Sequence, residues 1–268
     1  MRLTLMGTGT SHGMPVIACH CHGCTSRDRR DKRMRCSAYL CKKESGRKTT
    51  RIVIDTGPEF RLQALKYKIP ALNAVLLTHS HADHLHGLDD LRIFSHTRTA
   101  CSAGSVLEDP YPETHGAGLP IYTNAGTIED VKNRFDYIFK KTQAGGGKPK
   151  LALIDIYDTA LPLVVGTVSV MPVPMLHGEL ETVGWLLSCE GADGEKHSIA
   201  YLTDCNYISP QSIALSERAG ASSITWLLTA YVNVRTRHIV LLMKQCHMRK
   251  ESVENIPGLP ISVMICGI

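Results

Sequence analysis

The chain has 268 residues, enough for one large domain or two small ones with a substantial buried core. Its net charge of +5 and its 21% of charged residues are ordinary for a soluble protein. No apolar run approaches the roughly 20 residues of a membrane span, and Met1–Ser11 lacks the basic start and long apolar region of a signal peptide. These features exclude a membrane-spanning protein and predict a cytoplasmic enzyme.

The first segment of the chain combines a predicted strand with a glycine-rich turn. Arg2–Met6 alternates apolar and polar residues, as an opening strand does. Gly7–Ser11 (GTGTS) is either a tight turn beside a metal site or a phosphate-binding turn. Because it lacks the lysine and the spacing of a P-loop, the tight turn is the favoured interpretation.

Three of the ten cysteines lie close together, and the others are scattered. Cys19, Cys21 and Cys24 form a Cys-x-Cys-x-x-Cys pattern. In a reducing compartment this pattern favours thiolate metal ligation over disulfide bonds. We therefore predict a structural zinc site at these three thiols, with incidental free thiols as the alternative.

A basic run follows, with eleven Lys or Arg residues from Arg27 to Arg51. Such a run can bind phosphate-bearing ligands or nucleic acid, but the interleaved set of aromatic residues typical of base stacking is missing. A solvated basic surface is the favoured interpretation.

The sequence predicts paired strands at Ser37–Cys41 and Arg51–Asp55. We interpret Asp55, at a strand end, as a residue that orients a metal-bound histidine.

Ala74–Leu88, which reads AVLLTHSHADHLHGL, is the most informative stretch of the chain. An apolar strand is followed directly by five polar residues, His79, His81, Asp83, His84 and His86. Imidazole and carboxylate groups suit Zn²⁺ or Mn²⁺, and a rigid strand end can direct several of them at one point. A histidine-rich surface loop or an expression tag lacks the apolar strand and the interposed aspartate. The stretch therefore predicts a metal centre.

The rest of the chain alternates predicted strands with loops and two helices. We predict helices at Leu85–Phe94 and Thr127–Phe139, a long loop from Thr97 to Pro120, and a surface turn at Gln143–Lys150. His96 and His115 are interpreted as ordinary polar residues. Further strands are predicted at Ile121–Thr123, Leu151–Tyr157, Leu161–Thr167, Ser169–Val173, Thr182–Cys189 and Ser198–Thr203. His177 and Asp204 follow strands, which favours a ligand role for His177 and either a ligand or a buried structural role for Asp204.

The motifs GTGTS, CxCxxC, IDTGPEFR, LTHSHADHLHGLDDLR, MLHG and YLTD together resemble the PhnP-like hydrolases of the metallo-β-lactamase superfamily, over roughly residues 1–220. The resemblance implies a four-layer αβ/βα sandwich of class α/β. It also implies that His79, His81 and His177 hold one metal ion, that Asp83 and His84 hold a second, and that Asp204 bridges them. A hydroxide between two such ions, about 3.5 to 4 Å apart, would attack a small cyclic or linear phosphodiester, with Asp83 and Asp204 as catalytic residues.

The resemblance further implies two late motifs that the chain lacks. These are an Asp or Asn before Leu-Arg, and Thr-His-x-x-His, whose histidines would complete the second metal site and the zinc site. The last residues offer only His238 and His247, in different contexts. We therefore expect the last strand and helix of the fold to be missing or altered, with a hydrolase domain at residues 1–225 and an atypical tail at 226–268.

A shifted reading frame would restore both motifs. Read one base earlier, the codons from Pro260 to Gly267 permit His-Ile-Cys-His-Asp-Met-Trp, preceded by Lys-His-Thr-Trp-Leu-Thr, and those near Trp226 permit Val-Ile-Asp-Gly-Leu-Arg. Met243 followed by Lys244 forces a Glu codon, but degeneracy leaves choice at many positions. We hypothesise a frameshift near residues 221–225, which would weaken the second metal site and the stability of the chain.

Three functions remain open from the sequence. A binuclear metal phosphodiesterase with a small phosphodiester substrate is the leading prediction. An RNA-processing nuclease of the same superfamily is less favoured, because no RNA-gripping arm is evident, and a metal-binding pseudoenzyme is the third. The predicted cofactors are two divalent ions, Zn²⁺ or Mn²⁺, and one structural zinc. A homodimer is left open, and the superfamily's varied chemistry leaves the substrate undetermined.

Overall fold

Two β-sheets share an apolar core in the computed structural model, which describes residues 1–43, 49–95, 111–141, 147–212, 214, 223–228 and 240–241. The first sheet has the order β1-β2-β3-β4-β5-β6, with β1 (Arg2–Gly7), β2 (Ser37–Lys43), β3 (Thr49–Ile54), β4 (Ala74–Leu76), β5 (Leu119–Thr123) and β6 (Leu151–Asp155). The first three strands pair antiparallel, whereas β3 to β6 are parallel. Parallel strands end at one edge, so residues that follow them lie side by side.

The second sheet is largely antiparallel and has the order β11-β8-β9-β10-β12-β13, with β7 beside β8. Its strands are β7 (Leu163–Val165), β8 (Val168–His177), β9 (Leu180–Glu190), β10 (Lys196–Leu202), β11 (Tyr207–Ile208), β12 (Ser223–Leu228) and β13 (Val240–Leu241). A tight hairpin joins the two longest strands, since His177 at the end of β8 pairs with Leu180 at the start of β9. This hairpin brings a predicted ligand to the edge of the sheet.

Short helices connect the strands of the first sheet. They are α1 (His22–Thr25), α2 (Phe60–Lys66), α3 (Ala82–Leu85), α4 (Ala125–Arg134) and α5 (Asp136–Phe139), with 3-10 turns at Arg29–Asp31, Leu88–Leu91, Pro112–Thr114 and Ile156–Asp158. The side chain of Asn124 accepts a hydrogen bond from the N–H of Thr127 and so caps α4. No helix among the described residues is long and apolar enough to cross a membrane.

Successive side chains of the central strands point to opposite faces of the first sheet, and both faces are buried in apolar clusters. Ile52 and Ile54 of β3 face the second sheet, where they pack with Trp185 of β9. Val53, between them, packs on the other face with Phe60 of α2. A strand buried on both faces reads as a continuous apolar run. That pattern is what made these strands recognisable in the sequence.

The predicted α/β fold class is confirmed, and most predicted strands are present with shifted ends. The prediction of one helix over Leu85–Phe94 is wrong, because α3 ends at Leu85 and a 3-10 turn and the helical residues 92–95 follow separately. Thr127–Phe139 is likewise two helices, because Phe135 has a φ of −118° and leaves helical geometry between them.

Several sequence predictions fall on residues outside the described ranges. They concern His96, most of the loop from Thr97 to Pro120, part of the turn at Gln143–Lys150, and the tail histidines His238 and His247. His115 is exposed and directly follows the 3-10 turn at Pro112–Thr114. Its interpretation as an ordinary polar residue stays a prediction. Ser223–Leu228 forms β12 and pairs parallel with β10, so this strand spans the proposed boundary at residue 225. The boundary and the altered last strand and helix stay predictions.

Candidate metal centre

Strand ends from both sheets bring the predicted polar residues to one edge of the molecule. Asp55 directly follows β3, and His79 follows the neighbouring parallel strand β4 by three residues. The second sheet joins this edge through the N–H of Val183, which donates to the carbonyl of Thr78 at 2.8 Å. The edge therefore gathers residues that are far apart in the sequence.

Three imidazoles converge at this edge. The candidate ligand atoms of His79, His81 and His177 all lie within 4.8 Å of one another. Nε2 of His79 is buried and has no hydrogen-bond partner. Burial, followed by the charge of His84, lowers the pKa of His79 to about 2, so its ring is neutral and offers a lone pair. Three convergent imidazoles fit a borderline divalent ion such as zinc.

Two carboxylates and a fourth imidazole form a second cluster against the first. Oδ2 of Asp204 lies 2.9 Å and Oδ2 of Asp83 lies 3.3 Å from Nε2 of His84. Despite these distances, Nε2 of His84 has no partner with hydrogen-bond geometry, so we treat both contacts as close approaches of charged groups. The rings of His79 and His84 are 4.3 Å apart, which places the two clusters side by side.

Electrostatics favour a cation at the second cluster. Burial opposes a charged His84 ring, but Asp55, Asp204 and Asp83 outweigh burial and raise its pKa well above the usual range. Burial acts to raise the pKa of Asp83 as well, yet the close approach of the His84 ring and its charge hold it at about 2. In the metal-free protein a proton on His84 thus balances the surrounding carboxylates. A divalent ion would satisfy the same carboxylates, so these residues fit one.

Asp55 lies behind the two clusters and contacts both His84 and Thr78. Its Oδ2 lies 2.8 Å from Nδ1 of His84 and accepts a hydrogen bond from Oγ1 of Thr78 at 2.9 Å. Oγ1 of Thr78 also lies 2.9 Å from Nδ1 of His79. Asp55 is fully buried and has a φ of +60°, a conformation uncommon for residues other than glycine. The arrangement matches the orienting role that the sequence suggested for Asp55, and it adds Thr78.

Close backbone packing holds the loop that carries these ligands. A Cβ atom at Gly57 would lie 2.1 Å from the carbonyl oxygen of Asp83, so only glycine fits there. On the other side, Ser80 donates to the carboxylate of Asp130, and Arg134 donates to the carbonyl of Ser80. Sequence reasoning missed these two contacts from α4, because nothing in the motif indicates which helix packs on the loop.

His86 takes no part in either cluster. It follows α3, is exposed, and its ring packs edge-on against Phe135 with centroids 6.1 Å apart. The histidine-rich motif thus supplies four polar residues to the candidate centre and one to a surface contact.

The three cysteines of the predicted zinc site lie close together in the structure. The sulfur atoms of Cys19, Cys21 and Cys24 all lie within 4.8 Å of one another. The N–H of Cys24 and the neighbouring thiols lower the pKa of Cys21, which favours the thiolate that binds zinc. The N–H of Val16 donates to the sulfur of Cys24 at 3.3 Å and orients it. Three convergent thiols fit a structural zinc, whose fourth ligand they leave open.

The glycine-rich turn at Gly7–Ser11 contacts the basic run through backbone atoms. The N–H of Gly9 donates to the carbonyl of Met34, and a Cβ atom at Gly7 would lie 1.9 Å from the carbonyl oxygen of Arg35. The turn is therefore packed tightly on the basic segment. Arg35 itself donates to the carbonyl of Ser11 and pairs with Glu59. These contacts favour the tight turn over a phosphate cradle.

The family can now be stated. A family model described as the beta-lactamase superfamily domain matches residues 50–248. The chain belongs to the metallo-β-lactamase superfamily, whose members are metal-dependent hydrolases. The polar residues that this superfamily member gathers at its sheet edge are the ones that the sequence predicted.

Several known proteins are similar to this superfamily member. A diphosphatase of the PhnP family is 31% identical, with a TM-score of 0.62 over 84% of this chain and 72% of the other. A long-form RNase Z from yeast is 10% identical, with a TM-score of 0.56 over 97% of this chain and 40% of the other, which shows the fold alone. An octanoyltransferase from Porphyromonas gingivalis is 36% identical over 80% of this chain. The chain spans only 36% of the length of that curated relative.

Proposed function

We propose that this chain is a binuclear metal-dependent phosphodiesterase that cleaves a small cyclic or linear phosphodiester. The observation that carries the proposal is the pair of side-by-side imidazoles, His79 and His84, whose buried Nε2 atoms both lack a hydrogen-bond partner. Divalent ions, Zn²⁺ or Mn²⁺, would supply positive charge beside the scissile phosphate and activate water for attack. In-line displacement at phosphorus needs both effects.

The ligand roles follow from the two clusters. His79, His81 and His177 would hold one ion, and Asp83 and His84 the second. Asp204 is a candidate bridge, since it lies against His84 and its charge also acts on His79. Asp55 keeps the proton of His84 on Nδ1 and so leaves Nε2 for coordination. Asp83 is ionised and can accept a proton during water attack.

A diphosphatase is the second candidate, favoured by the PhnP-family diphosphatase at 31% identity. Cleavage of a phosphoric anhydride uses the same attack and the same charge stabilisation as cleavage of a diester. A nuclease is less favoured, since Arg30 and Arg35 of the basic run already pair with Asp28 and Glu59. A metal-binding pseudoenzyme remains the non-enzymatic candidate.

The test combines metal analysis with turnover. The full chain, purified from cells grown with added Zn²⁺ or Mn²⁺, is analysed for bound metal and assayed on bis(4-nitrophenyl) phosphate and on inorganic diphosphate. We expect two catalytic ions, one structural zinc, and hydrolysis of the diester that falls at least a hundredfold in Asp204→Asn. Asp193→Asn, at an exposed carboxylate paired with His197, is the matched control. Two bound catalytic ions with no hydrolysis of either substrate would support the pseudoenzyme instead.

A further inference from the structure

The hairpin between β8 and β9 carries His177 and is hydrogen-bonded to Asn206, the residue that directly precedes β11. The N–H of Asn206 donates to the carbonyl of Leu176 at 2.9 Å. Its side-chain Oδ1 accepts a hydrogen bond from the N–H of Gly178 at 2.7 Å. Asn206 therefore bonds to the residue before and to the residue after a proposed metal ligand.

These two bonds depart from regular strand pairing. Tyr207 of β11 lies opposite Leu176 of β8 in an antiparallel pair, so a regular continuation would place Asn206 opposite His177. Instead, the backbone N–H of Asn206 bonds to the carbonyl of Leu176, and its side-chain oxygen takes the N–H of Gly178. The side chain thus replaces a backbone partner at the point where the ladder ends.

Gly178 is the residue of the hairpin that most needs such a bond. Its φ is +65°, in the left-handed region, and a Cβ atom there would meet nothing within 4 Å. Backbone conformation and not lack of space therefore favours glycine at this position. Because glycine is the most flexible residue, a bond to its N–H restricts the chain directly beside His177.

The ring of His177 lacks the kind of partner that orients two other histidines of the centre. Nδ1 of His79 lies 2.9 Å from the hydroxyl of Thr78, and Nδ1 of His84 lies 2.8 Å from Asp55. Among the residues that the structure describes, none hydrogen-bonds to the ring of His177. Since a metal-binding imidazole is normally held by a second group, the position of His177 depends on how its backbone is held.

Asn206 belongs to the segment that carries Asp204. Oδ2 of Asp204 lies 2.9 Å from Nε2 of His84, and Asp204 has a φ of +50°, so the chain turns sharply there. The intervening Cys205 is only 2% exposed, which anchors the segment in the interior. Through Asn206, the position of His177 is therefore linked to the position of the proposed bridging carboxylate.

The other strand of the hairpin, β9, is bonded to different residues. Nδ2 of Asn124 donates to the carbonyl of Glu181 at 3.1 Å, and the N–H of Val183 donates to the carbonyl of Thr78 at 2.8 Å. These bonds tie β9 to the first sheet. At the end of β8, where the ligand lies, the corresponding bonds come from Asn206.

We infer that Asn206 is a positioning residue of the candidate metal centre, which fixes the backbone around His177 relative to Asp204. The inference rests on the proposed function, in which His177 is a ligand of one ion and Asp204 bridges the two. It goes beyond that function, because Asn206 lies outside the ligand set and outside the motifs by which the ligands were recognised.

The experiment measures metal binding without turnover. The full chain, freed of metal by a chelator, is titrated with Co²⁺. Ligand-field absorption without charge transfer reports cobalt at the histidines, and thiolate charge-transfer absorption reports cobalt at the cysteine cluster. We expect Asn206→Ala to weaken binding at the histidines about three- to tenfold, the loss of one hydrogen bond, and to leave the charge transfer unchanged.

Two further substitutions separate the acceptor from the rest of the side chain. Asn206→Gln moves the acceptor by one methylene group and should weaken cobalt binding at the histidines as Asn206→Ala does. Asn206→Asp keeps an acceptor oxygen for the N–H of Gly178 and should bind cobalt at least as tightly as the parent. If Asn206→Ala loses the charge transfer as well, the comparison of Asn206→Gln with Asn206→Asp decides.

Asn73→Ala is the matched control. Oδ1 of Asn73 accepts from the N–H of Arg51, and the N–H of Asn73 donates to the carbonyl of Arg51, both at 2.8 Å. Asn73 thus bonds to strand backbone as Asn206 does, but it directly precedes β4, at the end away from His79. We expect Asn73→Ala to lower the free energy of unfolding in denaturant without weakening cobalt binding at the histidines.

The outcomes distinguish this inference from the proposed function. Cobalt binding at the histidines that is absent in the parent, or unchanged in Asn206→Ala and Asn206→Gln, overturns the positioning role even if diesters are hydrolysed. Equal weakening in Asn206→Asp or in Asn73→Ala also overturns it, because a general loss of stability would then explain the effect. The expected losses in a chain that hydrolyses no diester would uphold the role of Asn206 and overturn the phosphodiesterase.

Discussion

Oδ2 of Asp55 lies 2.8 Å from Nδ1 of His84, and both side chains are at most 1% exposed. A buried carboxylate that accepts from Nδ1 keeps one proton there, so the proton that a metal ion would displace is the one on Nε2, the atom that faces Asp83 and Asp204. The candidate metal centre thus depends on a residue that need not touch a metal ion.

Asp55→Asn should weaken metal binding while preserving the shape of the side chain. The amide has a single acceptor oxygen, so it cannot accept from His84 and the Thr78 hydroxyl on one side and from the N–H of Thr78 on the other, and the orientation of His84 loosens. We expect metal affinity to fall about 10- to 100-fold, with a parallel loss of diester hydrolysis. Competition with a chelator measures the affinity. Asp136→Asn, at an exposed carboxylate paired with Lys140, should bind metal as the parent does. Equal affinity in both variants would contradict the orienting role.

Thr78→Val tests the link between the two imidazoles. The hydroxyl of Thr78 contacts both Asp55 and His79, so its removal leaves a buried carboxylate oxygen and a buried ring nitrogen each short of one partner. The expected cost is about 1 to 3 kcal/mol of unfolding free energy and about tenfold in metal affinity. Thr78→Ser restores the hydroxyl and should recover the affinity. Failure of Thr78→Ser to recover it would show that the methyl group, not the hydroxyl, matters.

The sequence predicted which polar residues gather at the sheet edge better than it predicted the contacts that support them. Asp55 and His79 were recognisable because each comes soon after an apolar strand, and their strands β3 and β4 are parallel neighbours that end at one edge. Asp204 likewise comes soon after an apolar strand, β10, but this strand belongs to the second sheet. The contact of Ser80 with Asp130 depends on how α4 packs on the loop, which no local pattern encodes. The break at Phe135 was also missed, since no proline or glycine marks it.

Gly57→Ala should displace the loop that carries Asp83 and His84. The added Cβ would lie 2.1 Å from the carbonyl oxygen of Asp83, a backbone atom that can move away only if the loop moves. We expect a loss of about 1 to 3 kcal/mol in unfolding free energy, together with weaker metal binding. At Gly126 in α4 a Cβ would meet its nearest atom at 4.0 Å, so Gly126→Ala should be neutral or stabilising. Denaturant unfolding of the two variants makes the comparison.

Cys21→Ser tests the structural zinc separately from the catalytic ions. Loss of one of three convergent thiolates should remove one zinc per chain and lower the melting temperature, while His79, His81 and His177 still bind their ion. Cys41→Ser, at a half-buried cysteine outside the cluster, should keep the full zinc content. Metal analysis before and after chelator treatment distinguishes the sites. An unchanged zinc content in Cys21→Ser would identify the three thiols as incidental.

The frameshift hypothesis predicts a specific change in the coding DNA. The match to the superfamily model runs to residue 248, past the proposed junction, so the decisive measurement is the nucleotide sequence over codons 215–268. We expect a single-base insertion or deletion near codons 221–225 relative to a close relative. Correcting it should replace the residues from about Trp226 onward and introduce Thr-His-x-x-His. Since its two histidines would add a ligand to the second metal site and an imidazole to the zinc site, the corrected chain should bind both metals more tightly. An uninterrupted frame shared with close relatives would refute the hypothesis, and the second ion would then have to be held by the ligands already present, Asp83, His84 and Asp204.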